Sequence, residues 1–171
     1  TATATPTATA TATPTATATA TATPCPDAFE PDNRPEEAAW IVVNGWPQTH
    51  SFHEQGDVDY VRFFAEPGRV YTVRTFDLAA APQVDTVLAL LDKDGVSLLK
   101  VNDNEATDSL ASLVTWGPIE AGDYFVMVFQ KDPRQSGCDA LYSVEVTGRV
   151  PTAEPTATAT RQPLRRLFVP F

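Results

Sequence analysis

Cysteine and histidine each occur only twice in 171 residues, and methionine once. Two cysteines exclude a Cys-rich zinc or iron–sulfur framework and allow at most one internal bridge. No Asn-x-Ser/Thr triplet occurs, so any glycan on the chain is O-linked. No apolar run approaches the ~20 residues of a membrane-spanning helix. Basic residues are scarce, 12 against 22 acids for a net charge of −10, which argues against nucleic acid, whose phosphates demand a basic footprint. No Ser occupies a nucleophile elbow and no spacing pairs a Cys with a His, so no catalytic constellation emerges. The lack of a leader and of an initiator Met is what a mature piece of a longer secreted precursor would show.

What the chain has in excess is threonine. Thr1, Thr3, Thr5, Thr7, Thr9, Thr11, Thr13, Thr15, Thr17, Thr19, Thr21 and Thr23 alternate with Ala or Pro. Such a run holds no large apolar side chain to offset a backbone entropy cost of roughly 1–2 kcal/mol per residue. Pro6, Pro14 and Pro24 disfavour helix and central strand and favour polyproline II. Ser/Thr tracts with Pro read as O-glycosylated stalks, and an unmodified spacer is the alternative. A shorter echo with Thr152, Thr156, Thr158 and Thr160 extends the set of candidate glycan acceptors.

The organisation read from composition is a stalk over 1–25, one folded unit over 26–149, a linker over 150–163 and an apolar, basic peptide over 164–171. Residues 27–149 carry 21 acids and 9 bases. In the terminal peptide, Leu167, Phe168, Val169 and Phe171 follow Arg165 and Arg166, a strand-like segment open to three uses: return to its own domain, addition to a neighbour's sheet edge, or service as a sorting or anchoring tag. An acidic acceptor such as the folded unit of another copy would make a head-to-tail filament. Cys25 and Cys138 bracket the folded unit and suit one disulfide in an oxidising compartment.

From Trp40 onward the pattern is short runs of period two broken by turn residues. The strands expected are Ala39–Val43, Thr49–His53, Asp59–Phe64, Val70–Phe76, Thr86–Leu91, Ser97–Val101, Ser112–Trp116, Tyr124–Gln130 and Leu141–Val146. The fold class is therefore all-β, a single antiparallel sandwich of jelly-roll type. His50 and His53 fall three apart in an expected strand, on opposite faces, and read as ordinary surface or half-buried residues that cannot chelate together. Trp40 and Trp116 read as core, leaving Trp46 as the plausible exposed aromatic contact. Asp92-Lys93-Asp94-Gly95 starts like a Ca²⁺ loop but lacks the downstream Glu, and is a hairpin turn.

Asp27-Ala28-Phe29-Glu30-Pro31-Asp32-Asn33 resembles the opening of bacterial pre-peptidase C-terminal domains. Gly56-Asp57-Val58-Asp59-Tyr60, Gly68-Arg69-Val70-Tyr71, Asp85-Thr86-Val87-Leu88, Asn102-Asp103-Asn104, Ala121-Gly122-Asp123-Tyr124 and Tyr142-Ser143-Val144 follow in order with similar spacing. The resemblance spans about residues 27–148 and implies a non-catalytic sandwich appended to secreted enzymes or bacterial surface proteins. It also implies Ca²⁺ held by Glu30, Asp32, Asn33, Asp57 and Asp59. Ala28 stands where metal-binding relatives carry a further acid, which implies a weaker site. The function expected first is an extracellular, O-glycosylated filament subunit whose partners are its own copies. The alternative is an accessory module of a secreted hydrolase, binding Ca²⁺ or a protein or polysaccharide substrate at the cell surface.

Overall fold

The computed structural model describes residue 1 and residues 25–152. Nine strands build two facing sheets. One sheet has the order β1 (Ala39–Trp40), β3 (Val58–Ala65), β8 (Gly122–Gln130), β5 (Thr86–Leu91), β6 (Leu98–Asn102); the other has β2 (Gln48–Ser51), β9 (Leu141–Arg149), β4 (Val70–Phe76), β7 (Leu113–Trp116). Every pairing is antiparallel except β1 with β3. A short 3-10 turn, Pro35–Glu37, precedes β1.

The sandwich forms because alternation along the long strands sends one side chain in and the next out. On β3, Val61, Phe63 and Ala65 are buried, and on β8 Tyr124, Val126 and Val128 point the same way. β4 and β9 answer with Tyr71, Val73, Tyr142, Val144 and Val146. β5, paired on both sides by β8 and β6, is buried along almost its whole length, with Leu88 and Leu90 fully covered. Burying each such side chain contributes roughly 1.5–3 kcal/mol. A polar tie crosses the layers: Thr75 of β4 and Thr86 of β5 share a hydroxyl hydrogen bond of 2.6 Å, and Ser112 Oγ donates to the Thr86 carbonyl at 2.6 Å.

The expected strands and the observed ones agree closely, with differences at some ends: β2 stops at Ser51 where His53 was expected, and β9 runs on to Arg149 where Val146 was expected. The first strand stops at Trp40 where Val43 was expected, because the chain turns away at Val42–Gly45, with Asn44 at φ 59° and Gly45 N–H donating to the Val42 carbonyl at 2.9 Å. Trp40 is consequently not core: it is 51% exposed on the sheet edge, and the Arg62 guanidinium stacks 4.6 Å from its ring. Trp116 does rest against the core, edge-on to Tyr124 at 4.5 Å, and Trp46 is exposed in its turn.

Cys25 and Cys138 are joined, with Cα atoms 5.4 Å apart. Thr1 and Thr152 are exposed. The remaining candidate glycan acceptors, Thr3 to Thr23 and Thr156, Thr158 and Thr160, lie outside the described residues. So do Arg165, Arg166, Leu167, Phe168, Val169 and Phe171.

Candidate metal centre

Residues 27–33 run between β2 and β3, which belong to opposite sheets. One backbone bond and one side-chain bond fix this position: Tyr60 N–H donates to the Asp32 carbonyl at 2.9 Å, and Ser51 N–H donates to the Asp27 carboxylate Oδ2 at 2.7 Å. Phe29 lies on the His50 ring at 4.6 Å, and stacked rings continue through Tyr142 to Phe52. The acidic opening is thus clamped onto the sandwich, and its carboxylates are carried out of water.

Two triads result. In the outer one, Glu30, His53 and Asp57 bring ligand atoms within 4.8 Å of one another; in the inner one, Asp32, His50 and Asp59 do the same. His53 Nδ1 sits 2.9 Å from Glu30 Oε1 and 2.7 Å from Asp57 Oδ2. His50 Nδ1 sits 3.3 Å from Asp32 Oδ2 and 4.0 Å from Asp27 Oδ2. The inner three side chains are completely buried, whereas Glu30 and His53 keep 8% and 12% of their surface in reach of solvent.

No backbone N–H or hydroxyl reaches either oxygen of Asp32, Oε1 of Glu30 or Oδ1 of Asp59, and the polar atoms facing Nδ1 of both histidines are carboxylate oxygens. Orphaned polar atoms of this kind are rare in protein interiors and call for an explanation. Only part of the cluster is conventionally satisfied. Tyr142 Oη donates to Asp59 Oδ2 at 2.5 Å, His53 N–H donates to Asp57 Oδ2 at 2.8 Å, and Val58 N–H donates to Asp57 Oδ1 at 3.0 Å.

Electrostatics point the same way. Burial pushes the carboxyl of Asp59 well above its ordinary value, and burial likewise raises Asp32, Asp57 and Glu30, with neighbouring carboxylates adding to the rise at Glu30. Tyr142 is pushed well up, first by burial and then by Asp59. Among the described residues no Lys or Arg pairs with Asp27, Glu30, Asp32, Asp57 or Asp59. Five carboxylates therefore face two imidazoles in a dry site, an arrangement a divalent cation would relieve.

Of the five residues expected as ligands, four fall into the triads, two in each. Asn33 lies beside them: its amide faces Val58 and Asp57, with Val58 N–H 3.4 Å from Oδ1, and in the opposite amide orientation its nitrogen reaches the Val58 carbonyl at 3.2 Å and Asp57 Oδ1 at 3.0 Å. The histidines, expected to be inert, are the substantive correction. They do part company, as a spacing of three in a strand requires, but each meets carboxylates on its own side. β2 ends at Ser51, so His53 belongs to the turn and swings toward Glu30 and Asp57. The donor set is thus mixed nitrogen and oxygen, in contrast to the all-oxygen set that the resemblance implies for Ca²⁺.

No family model matches the chain, and no curated protein matches it. Among solved structures it is similar to the pre-peptidase C-terminal domain of a collagenase from Bacillus anthracis, at 17% identity over 67% of this chain and 99% of that one, with a TM-score of 0.49. It is also similar to PliG of Aeromonas hydrophila, a periplasmic inhibitor of g-type lysozyme, at 13% identity over 66% of this chain and 97% of that one, with a TM-score of 0.45.

Proposed function

We propose that this chain carries a non-catalytic accessory module of a bacterial protein working outside the cytoplasm, of pre-peptidase C-terminal type, tethered by its Thr-Ala-Pro run and braced by a divalent cation. The observation that carries the reading is where the two triads lie. They sit in residues 27–59, immediately after Cys25, where the run enters the sandwich. A cation there would pin the entering segment to β2 and β3, and the Cys25–Cys138 bridge pins it a second time. Both devices fix a domain to its tether, which is the need of a displayed module. The bridge also suits an oxidising compartment.

Support for a polymeric partner comes from the sheet edge. Trp40, Ile41, Val42, Val43 and Phe64 line an open hollow of about 350 Å³, and Trp40, Val42 and Phe64 are more than half exposed. Aromatic rings with a flanking Arg are the ordinary means of holding a sugar or peptide face. The test is co-sedimentation with an insoluble polysaccharide and, separately, with a fibrous protein, comparing the wild type with Trp40→Ala/Phe64→Ala. The expected result is retention by one of the two polymers and its loss in the double variant. Retention by neither would remove the binding-module reading.

A further inference from the structure

The geometry points to an imidazole-accepting metal ion of the Zn²⁺ class, in preference to Ca²⁺, as the ion of the two triads. This deepens the cation-braced reading above and rests on it. Each triad supplies one ring nitrogen with two carboxylates. Ca²⁺ takes six to eight oxygens, whereas zinc and its first-row neighbours take imidazole and carboxylate together.

The protonation of His50 is dictated by its neighbours. Gln48 Nε2 donates to the Trp40 carbonyl at 2.7 Å, which fixes the amide so that its oxygen faces His50 Nε2 at 3.3 Å. His50 Nε2 therefore carries the hydrogen. Its Nδ1 is left facing Asp32 Oδ2 at 3.3 Å, and no backbone N–H or hydroxyl reaches either atom. A far nitrogen that donates to a polar anchor while the near nitrogen looks at carboxylates is how proteins prepare a metal-binding histidine. The competing occupant of that space is a second proton on the ring, which would make His50 an imidazolium paired with Asp32. One proton on each histidine would still leave the five carboxylates in excess.

The experiment takes the full chain, strips it with chelator, and titrates Zn²⁺, Ca²⁺ and Co²⁺ separately by calorimetry at neutral pH. Co²⁺ absorption in the visible reports nitrogen–oxygen ligation directly. Expected are Zn²⁺ binding at least about 100-fold tighter than Ca²⁺, and Co²⁺ bands displaced by Zn²⁺. His53→Gln, at the more open triad, should weaken Zn²⁺ more than Ca²⁺. Gln48→Ala leaves every ligand in place and should weaken Zn²⁺ by roughly 10- to 100-fold through the lost anchor. Ca²⁺ binding as tight as Zn²⁺ or tighter would overturn this inference and leave the cation brace standing. Failure of all three ions to bind, with nitrogen NMR showing both ring nitrogens of His50 protonated, would overturn both.

Discussion

Asp59 carries the sharpest tension at the level of single residues, since it lies on the inward face of β3 in line with Val61 and Phe63 and is fully buried. What makes its position tolerable is the phenol of Tyr142, donating from the opposite sheet. Tyr142→Phe keeps the ring that stacks between His50 and Phe52 and deletes only the hydroxyl. A hydrogen bond to a charged group contributes about 1.5–3 kcal/mol, and urea unfolding of the metal-free variant should show a loss of that order. A loss below about 0.5 kcal/mol would mean that Asp59 does not depend on Tyr142. Asp59 was legible as a candidate only through the resemblance of Gly56-Asp57-Val58-Asp59-Tyr60 to the pre-peptidase C-terminal pattern. The histidines were not, because strand periodicity says which side a residue faces and nothing about what the other sheet and residues 27–33 bring there. Tyr142 was invisible for the same reason: it looks like any inward aromatic until its partner 83 positions away is known.

Among the elements, the β5–β6 hairpin shows how local chemistry sets a turn. Asp94 Oδ1 accepts the N–H groups of Val96 and Ser97, and Oδ2 accepts Ser97 Oγ. These bonds hold its carboxyl down to about 2, the Ser97 hydroxyl contributing most. A carboxyl depressed by folding stabilises the fold above its unfolded value near ~3.9, and that stabilisation is lost as pH falls through about 2. Ser97→Ala should therefore raise the Asp94 midpoint toward the ordinary aspartate value, as followed by carboxyl-carbon NMR; an unmoved midpoint would count against the hydroxyl as the main cause. Packing between elements is tested by Phe63→Ala. Phe63 is wholly buried, with Tyr71 of the other sheet 5.6 Å away. Truncation should cost about 3–5 kcal/mol in chemical denaturation. Strand positions were readable because alternation and turn residues are local signals. The early exit of β1 was not, because Ile41 to Val43 are as apolar as a strand, and only the Asn44 turn and the β3 edge decide where pairing stops.

For the molecule as a whole, the decisive feature is that its entry segment is tied down covalently at Cys25–Cys138 and, under the proposed cation brace, a second time at the two triads. The bridge closes nearly the entire folded unit, a separation of 113 residues. In the chain-entropy description a loop of that size stabilises by roughly 4–5 kcal/mol, close to half of what a domain this size ordinarily has in hand. The core does not need the bridge to exist, since the strands on both sheets pair and bury without residue 25. Cys25→Ser/Cys138→Ser should therefore fold, but with a lower midpoint of thermal unfolding. The two ties also act on the same segment, so they should not be independent. In the double serine variant, residues 25–33 have more freedom to lose when an ion is bound, so ion affinity should fall. In the bridged protein, the stabilisation by saturating ion should in turn exceed that seen without the bridge. Calorimetric melts of both proteins, with and without metal, measure all four corners of that cycle. Equal metal stabilisation in the two proteins would show that the bridge and the triads act on separate parts of the fold, and the double anchoring of the Thr-Ala-Pro run would then lose its physical basis.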